Sequence, residues 1–181
     1  MYFHNLIISK GNNHATPNQL KNWINENRHL LKPPVGNQVI YKDTEFIIMV
    51  VGGPNIRKDY HINEGEEFFY QLEGDMILRI REKGKPKDIP ISEGEIFLLS
   101  AKIPHSPQRF KNTVGLVVER KRHTDEMDGF QWYCDVCHSV LYNKYISLTD
   151  IVKQLPPLFE EFWNNDDART CKHCNSYLEK P

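Results

Sequence analysis

Apolar and polar positions alternate over short runs in the middle of the chain, between residues 38 and 122. Five runs rich in β-branched and aromatic residues cover residues 45–51, 67–72, 76–81, 95–99 and 114–119. Turns containing glycine or proline separate them at residues 52–54, 74–75, 84–86 and 93–94. Such strands predict a β-sandwich or barrel with a mouth able to hold a ligand. Residues 72–76 are predicted to form a tight hairpin.

The segment before these strands has the pattern of one amphipathic helix. Thr16 and Pro17 are the residue types expected at an N-cap and at the first helical position. The apolar stripe that follows has roughly helical spacing and consists of Leu20, Trp23, Ile24 and Leu31. Pro33 and Pro34 cannot continue a helix, so we expect it to end near residues 31–32. A turn over residues 33–37 then leads into the sheet.

The last third of the chain has a different composition. Residues 123–129 form a charged segment with few apolar residues, which we interpret as a linker. A helix interrupted by Pro156 and Pro157 is predicted over residues 147–163, and a Cys-x-x-Cys pair lies on each side of it. We expect this tail to be too small to bury a core of its own, so a metal that cross-links it makes physical sense.

The four cysteines, Cys134, Cys137, Cys171 and Cys174, form these two pairs. Four thiolates from two such pairs can surround one metal ion as a tetrahedron, and the pattern does not distinguish Zn from Fe. Disulfides are the alternative, but without a secretion signal the pattern favours a metal and a reducing compartment. Because a four-thiolate shell leaves no open position, we expect it to fold the tail and to take no part in catalysis.

Composition argues against several classes of protein. The 181 residues suffice for one ordinary domain and a small appendage, and 39% of them are hydrophobic. A net charge of -1 and a pI of about 6.7 argue against nucleic-acid binding through phosphate contacts. No apolar run approaches the length that crosses a membrane, and residues 1–10 lack the pattern of a signal peptide. We therefore expect a cytoplasmic protein.

Two histidines and one glutamate are the residue types of an open metal centre. His61 and Glu67 lie at the entry to one predicted strand, and His105 follows Pro104 at the end of another. Inward-facing side chains on neighbouring strands of a barrel can converge on one ion. Two imidazoles and one carboxylate are the ligands of many non-haem Fe(II) oxygenases. Since the chain has eight histidines, three unrelated surface or strand-end residues are the alternative.

The residues around this set resemble the two sequence motifs of the cupins. The matching positions are His61, Glu67 and Gly74 for the first motif and Gly94, Pro104 and His105 for the second. Asn63 stands where the first motif has a second histidine, and Arg109 stands where the second motif commonly has asparagine. These two departures favour a subfamily with three protein ligands and a cationic pocket.

The chain is similar, nearly from end to end, to the 3-hydroxyanthranilate 3,4-dioxygenase family. The resemblance lies in residues 30–37, 51–55, 57–61, 66–71, 104–109 and 132–134. It implies an all-β cupin, a jelly-roll barrel with minor helices, with catalytic Fe(II) on His61, Glu67 and His105. The tail resembles the shorter-chain form of the family, with a rubredoxin-like iron. Residues 1–37 would then be an N-terminal helix and lid segment, 38–122 the barrel, and 123–181 the four-cysteine metal-binding segment.

The resemblance also implies roles for further residues. Arg57 and Arg109 each lie four residues from a ligand histidine, and arginine presents a rigid fork that pairs with carboxylates. By resemblance, Arg57 lies beside O2 and Arg109 holds the substrate carboxylate. By the same resemblance, Glu119 faces the substrate hydroxyl and amino groups, Glu67 binds the substrate as well as the metal, and Asn37 closes over the substrate. The alternative for each is an exposed strand-end or turn position without function.

The activity implied is Fe(II)-dependent, extradiol-type cleavage of 3-hydroxyanthranilate by O2. The product would be 2-amino-3-carboxymuconate semialdehyde, the precursor of quinolinate in the kynurenine pathway and NAD biosynthesis. The partners would be a small aromatic amino-carboxylate and O2, without nucleic acid or membrane, and the family expectation is a homodimer. A non-catalytic cupin metal-binding or sensor module stays open as an alternative. So does a cupin isomerase or a different dioxygenase, such as one that acts on a thiol.

Overall fold

The computed structural model describes residues 17–33, 36–41 and 44–181, which form two antiparallel β-sheets and three α-helices. The elements in chain order are α1 (Leu20–Asn27), a 3-10 helix (Arg28–Leu30), β1 (Asn37–Val39), β2 (Phe46–Gly52), β3 (Asp59–Ile62), β4 (Glu67–Glu73), β5 (Met76–Glu82), β6 (Lys85–Ile91), β7 (Ile96–Leu99), β8 (His105–Arg109), β9 (Val114–Arg120), β10 (Asp128–Tyr133), β11 (Val140–Ile146), α2 (Ile151–Trp163) and α3 (Asp166–Arg169). The strand orders are β1-β2-β9-β4-β7 and β11-β10-β3-β8-β5-β6.

The inner faces of the two sheets meet in one apolar core. Its buried members from the five-stranded sheet are Met49, Val51, Phe69, Leu99 and Val117, and those from the six-stranded sheet are Met76, Leu78, Ile80 and Ile91. Burial alternates along β4 and over most of β5, as the two-residue period of a strand requires. The predicted jelly-roll barrel of the cupin type is therefore confirmed.

The N-terminal helix α1 packs against the same five-stranded sheet through a separate cluster. That cluster consists of Trp23, Ile24, Leu31, Ile40, Val50 and Val114. The helix begins at Leu20, with Gln19 as its N-cap, so the predicted start at Pro17 is wrong. Thr16, the predicted N-cap, lies outside the described residues, as do residues 1–10 and residues 34–35 of the predicted turn.

The predicted hairpin at residues 72–76 is wrong. β4 pairs with β7 and β9, whereas β5 pairs with β6 and β8, so the turn at Gly74 carries the chain from one sheet to the other. Gly74 has a φ of 62°, which suits glycine. Local turn chemistry indicates a reversal of the chain but does not specify which strand becomes the partner.

Several strands were not predicted from the pattern. β6 is mostly exposed and contains Pro86 and Pro90, which an edge strand tolerates, and β8 contains Pro107. β10 and β11 extend the six-stranded sheet beyond residue 122, and β10 begins inside the segment interpreted as a linker. The division at residues 122 and 123 stays a prediction, but the sheet hydrogen bonds continue across it.

The residues after β10 pack against it and share a buried apolar core with it, so the expectation that the tail is too small to bury a core of its own is wrong. Phe130 and Trp132 of β10 form a buried cluster with Leu148, Leu158, Phe162 and Leu178. α2 runs through Pro156 and Pro157, so the predicted interruption is wrong. Each proline lacks one helical N–H donor, and the burial of Leu158 and Phe162 in this cluster offsets the loss. Within the described residues, each helix is too short or too polar to cross a membrane.

Candidate metal centre and active-site pocket

The three predicted metal ligands meet between the sheets. His61 on β3 and His105 on β8 are paired directly in the sheet register, and Glu67 opens β4 in the other sheet. Oε1 of Glu67 lies 3.2 Å from His105 Nε2 and 3.6 Å from His61 Nδ1. Their ligand atoms all lie within 4.8 Å of one another. Two sheets thus bring residues that are distant in sequence to one point.

The second nitrogen of each imidazole has its own acceptor. His105 Nδ1 lies 3.0 Å from the Ile103 carbonyl oxygen, and His61 Nε2 lies 2.6 Å from Asp128 Oδ2. The His61 ring also stacks on Phe130 with a centroid distance of 5.0 Å. If each outer nitrogen carries the proton, both inner nitrogens present lone pairs towards Glu67. Such outer partners are a regular feature of histidine ligands.

Electrostatics favour an ionised Glu67. Burial alone would raise its pKa, but the imidazoles of His105 and His61 and the amide of Asn63 outweigh burial and hold the pKa at about 2. Burial of the His105 ring acts to lower its pKa, but Glu67 outweighs this and raises it. The carboxylate therefore attracts a positive charge, which a bound cation would supply in place of the His105 proton.

The donor geometry fits a divalent metal ion. Bonds of about 2.1 Å place neighbouring donors on one octahedral face about 3 Å apart, close to the two distances measured from Glu67. The three donors occupy one side, and the other side faces a pocket. This arrangement leaves positions open for other ligands, as in the two-histidine, one-carboxylate centres.

The pocket has an empty volume of about 620 Å³, its open mouth included. Its lining contains all seven residues predicted for the catalytic metal, the substrate and O2, namely Asn37, Arg57, His61, Glu67, His105, Arg109 and Glu119. The rest is largely apolar and includes Val51, Phe69, Val117 and Phe130. An apolar pocket with a few convergent polar groups is typical of small-molecule sites.

Arg109 is a buried cation without an acidic partner among the residues that the structure describes. Its residue exposure is 3%, Nη1 donates to Gln71 Oε1 at 3.1 Å, and Nε has no acceptor. Burial lowers its pKa to about 10, so the group is still charged at neutral pH. An uncompensated buried charge is costly, which makes an anionic ligand the natural partner of this guanidinium.

Gly115 on β9 makes room for that guanidinium. A Cβ atom at this position would lie 2.5 Å from Arg109 Nη1 and 2.8 Å from Gln71 Oε1. Any larger residue would therefore displace Arg109 or Gln71. The sequence showed Gly115 only as part of an apolar strand.

Arg57, in contrast, has its charge balanced within the protein. Its Nε donates to Asp59 Oδ1 at 3.1 Å, and its guanidinium lies 5.7 Å from the centre of the Phe159 ring on α2. The Gln108 side chain donates to the Arg57 carbonyl oxygen at 3.0 Å and to Ser106 Oγ at 2.9 Å. This side-chain bond continues the contact between the β3 and β8 segments and fixes Arg57 at the pocket wall.

Glu119 is 3% exposed and lies beside Glu67 in the sheet register. Burial and the charge of Glu67 raise its pKa, while Arg122 acts in the opposite direction. Arg122 donates to both carboxylate oxygens, at 2.8 and 3.1 Å. Asn63 donates to Glu119 Oε2 at 2.9 Å and to Glu67 Oε1 at 3.3 Å. Asn63, at the position of the second cupin histidine, thus joins the two carboxylates.

The tail supplies one wall of the pocket. Leu148, Ile151 and Leu155 line it, and they belong to α2 and the residues just before it. The same helix packs into the tail core through Leu158 and Phe162. The sequence had suggested a separate appendage, because the packing of α2 over the barrel mouth has no local signature.

The four cysteines lie together as free thiols. Cys134 and Cys174 sulfurs are 3.6 Å apart, and those of Cys137 and Cys171 are 3.5 Å apart. Metal–sulfur bonds of about 2.3 Å give a tetrahedral edge of about 3.8 Å, so the cluster fits one closed metal site. This confirms the predicted four-cysteine segment.

Hydroxyl groups and backbone amides favour the thiolate form of two of these cysteines, Cys134 and Cys171, whereas the pKa of Cys137 is raised. The Ser139 hydroxyl lies 3.2 Å from Cys171 Sγ, and lowers the pKa of that thiol, together with backbone N–H groups, to about 6. Burial acts to raise the pKa of Cys134, but N–H donors and the Ser176 hydroxyl, at 2.9 Å, bring it to about 7. Thiolates are the metal-binding form of cysteine.

Several residues that shape the site were not identified from the sequence. They are Asp59, Asn63 as a hydrogen-bond donor, Gln71, Gln108, Gly115, Arg122, Asp128 and Phe159. Most act through the backbone or through another side chain. The charged 123–129 segment held one signal, since Asp128 directly precedes an apolar β run.

The two-sheet barrel, the cupin motif positions and an open three-donor centre define a metal-dependent cupin. A profile of the family described as "3-hydroxyanthranilic acid dioxygenase" matches residues 13–163. The chain therefore belongs to the 3-hydroxyanthranilate 3,4-dioxygenase family, whose members are oxidoreductases, and the resemblance drawn from its motifs is confirmed.

Named relatives agree with this assignment. A 3-hydroxyanthranilate 3,4-dioxygenase of Xanthomonas euvesicatoria is 53% identical over 165 residues, covering 91% of this chain and 93% of the relative. One from Brucella anthropi is 50% identical and covers 85% of this chain and 86% of the relative. The mouse enzyme is 52% identical over 85% of this chain, which corresponds to 54% of the mouse protein.

Among solved structures, a cupin-2 domain protein from Shewanella frigidimarina is similar with a TM-score of 0.46 and 16% identity. The match covers 54% of this chain and 92% of that chain.

Proposed function

We propose that this chain opens the ring of 3-hydroxyanthranilate with O2 at an Fe(II) ion bound by His61, Glu67 and His105. One observation supports this most strongly. The three-donor centre lines the same pocket as the buried guanidinium of Arg109, which has no acidic partner among the described residues. A substrate with a carboxylate at one end and metal-binding groups at the other would satisfy both.

The donor set favours iron at this centre. Two imidazoles and one carboxylate with open positions are the ligands of non-haem Fe(II) oxygenases. When bound, Fe(II) supplies the electron transfer that lets a closed-shell phenol react with O2. The protein would contribute two imidazoles, whose outer nitrogens lie against Asp128 and the Ile103 carbonyl oxygen, and one ionised carboxylate.

Arg109 would bind the substrate carboxylate. A charge-assisted, two-pronged bond fixes both the position and the plane of the ring. Orientation of this kind converts a bimolecular encounter into a positioned reaction. With the carboxylate held by Arg109, the amino and hydroxyl groups of the substrate would face the metal centre.

Glu119 would face those two groups and accept the proton of the phenol at a carboxylate oxygen. Burial and Glu67 raise its pKa, which makes it a better proton acceptor than an exposed glutamate. The reaction breaks the ring bond between the hydroxyl-bearing carbon and its unsubstituted neighbour. Both atoms of O2 enter the product, 2-amino-3-carboxymuconate semialdehyde, and no other reductant is needed.

Arg57 and Asn37 would complete the pocket. Arg57 would place its guanidinium beside O2, held there by Asp59 and Gln108. Asn37, on β1, would close over the substrate. Both assignments follow the family resemblance, and the position of each side chain on the pocket wall supports them.

The proposed activity also implies a role for the thiolate site, a pathway and an assembly. The thiolate site would hold Fe or Zn and stabilise the tail. The product closes spontaneously to quinolinate, which would link the chain to the kynurenine pathway and NAD biosynthesis. As the family resemblance implies, the protein would be a homodimer in the cytoplasm. The four free cysteines agree with such a reducing compartment.

The test is anaerobic reconstitution with Fe(II), followed by 3-hydroxyanthranilate and then O2. We expect the absorbance of the muconate semialdehyde to appear with one O2 consumed per product. The His61→Ala variant, folded and treated identically, should be inactive. Intact, iron-loaded protein that forms no product would overturn the assignment, and full turnover by His61→Ala would overturn the ligand set.

A further inference from the structure

The guanidinium of Arg122 contacts two carboxylates, that of Glu119 on the pocket wall and that of Asp128 next to His61. Arg122 donates to Glu119 Oε1 at 2.8 Å through Nη1, and to Asp128 Oδ2 at 2.8 Å through Nη2. Its Nε donates to Asp128 Oδ1 at 3.0 Å. The side chains of Arg122, Glu119 and Asp128 are 8%, 2% and 1% exposed. All five polar contacts of this arginine with acids are therefore screened little by water.

Asp128 links Arg122 to the proposed metal ligand His61. The same Oδ2 atom that accepts from Arg122 lies 2.6 Å from His61 Nε2. Asp128 opens β10, which pairs with β3 next to His61, so the backbone holds the carboxylate in place. On the other side, Asn63 joins Glu119 to Glu67. These contacts connect two ligands and the pocket-facing carboxylate in one buried network.

The fork of arginine is what allows this connection. Lysine carries one compact charge and cannot hold two carboxylates along fixed directions, whereas the guanidinium presents five donors in one plane. The plane of the Arg122 guanidinium therefore fixes the orientation of the Glu119 carboxylate relative to the Asp128 carboxylate. Through Asp128 it also sets the ring and tautomer of His61.

We propose that Arg122 and Asp128 are positioning residues that couple the orientation of the ligand His61 to that of Glu119. Neither residue lines the pocket. Disturbing either should weaken metal binding and also slow turnover. The turnover half of this inference rests on the proposed function, whereas the metal-binding half does not.

The metal-binding half can be measured without substrate. Metal-depleted protein, whose thiolate site has been refilled with Zn(II), is titrated with Mn(II), and free Mn(II) is followed by electron paramagnetic resonance. Mn(II) prefers nitrogen and oxygen donors, so it reports on the histidine–glutamate centre and not on the thiolates. Asp128→Asn should weaken Mn(II) binding by about 10- to 100-fold, the range seen for outer partners of metal ligands. Arg122→Lys should weaken it in the same direction although it contacts no ligand.

Arg120→Lys is the matched control. Arg120 lies two residues away, pairs with Glu126 near the surface, and should leave Mn(II) affinity unchanged. With saturating Fe(II), Asp128→Asn and Arg122→Lys should lower kcat for 3-hydroxyanthranilate more than they raise KM. Arg120→Lys should match the parent protein in both constants.

Circular dichroism and thermal unfolding identify variants that fold. A folded Arg122→Lys protein with unchanged Mn(II) affinity would overturn the coupling. If Arg122→Lys does not fold, Asp128→Asn decides alone, and unchanged Mn(II) affinity there overturns the inference. Should the parent protein bind Mn(II) but form no product, the proposed function fails while the metal-binding result still stands.

Discussion

Replacing Arg109 with methionine should lower activity and raise stability at the same time. The guanidinium is buried and has no acidic partner within the described part of the chain. In the protein without ligand, this buried charge therefore lowers the free energy of unfolding. Only a bound anion would offset that loss. Methionine fills much of the same space without the charge. A loss of function coupled to a gain in stability is the expected sign of a binding group held in advance of its ligand.

The magnitudes follow from the burial. The pKa of Arg109, lowered from 12.5 to about 10 by burial, corresponds to about 3 kcal/mol against the charged form. This cost is present in full at pH 7 and fades only as the pH rises through about 10. The Arg109→Met variant also leaves Gln71 Oε1 without its donor, which costs about 1–2 kcal/mol. The net gain should be about 1–2 kcal/mol, or roughly 2–8 °C in melting temperature.

The loss in activity should be much larger. Removing one member of a buried charge pair costs about 2–5 kcal/mol, which is roughly a 30- to 5,000-fold fall in kcat/KM. The assay compares 3-hydroxyanthranilate with 2-aminophenol, which lacks the carboxylate. The parent protein should prefer the carboxylated substrate, and Arg109→Met should lose that preference. Arg79→Met, which removes an exposed arginine paired with Asp88, is the control for loss of a charge.

Two results would contradict this role of Arg109. If Arg109→Met kept the full preference for 3-hydroxyanthranilate over 2-aminophenol, the carboxylate would bind elsewhere. If the variant were strongly destabilised while Arg79→Met was not, Arg109 would be a structural residue with a partner that the structure does not show.

The packing and the thiolate cluster predict the outcome of three further substitutions. Gly115→Ala should displace the Arg109 guanidinium, since the new Cβ would lie 2.5 Å from Nη1; KM for 3-hydroxyanthranilate should rise at least about tenfold, and an unchanged KM would contradict it. Phe162→Ala removes a fully buried ring stacked 4.4 Å from Trp132, so denaturant unfolding should show a loss of about 3–5 kcal/mol; a loss below about 1 kcal/mol would contradict the tail core. Cys171→Ser should remove one metal per chain and lower the melting temperature while Mn(II) binding persists; a well-folded but inactive variant would show that the thiolate site takes part in the chemistry.

Five of the strands (β2, β4, β5, β7 and β9) and the three residues of the donor centre could be predicted from the sequence because their signals are local. His61, Glu67 and His105 lie in short motifs, and alternation marks β4 and β5 within a few residues. The pairing of strands could not be predicted in the same way. The turn at Gly74 has the residues of a hairpin, yet the chain crosses to the other sheet there. Partner choice depends on burial over the whole barrel, which no short window contains.

The supporting residues of the site were missed for a related reason. Asp128 lies in a segment that is charged and poor in apolar residues, and only the pairing of β10 with β3 brings it to His61. Arg122 is one of several arginines, and its contact with two carboxylates depends on where β9 ends and β10 begins. Charge and composition describe such residues as exposed. Their burial is a property of the fold.

An anaerobic Fe(II) titration of metal-depleted protein, whose thiolate site has been refilled with Zn(II), tests whether the histidine–glutamate centre carries the reaction. Product formation from 3-hydroxyanthranilate and O2 is measured at each point. We predict that activity rises linearly and levels off at one Fe(II) per chain, and that a folded Glu67→Ala variant stays inactive at every iron concentration. Turnover by the metal-depleted protein, or iron-dependent turnover by Glu67→Ala equal to the parent, would contradict a reaction centred on His61, Glu67 and His105.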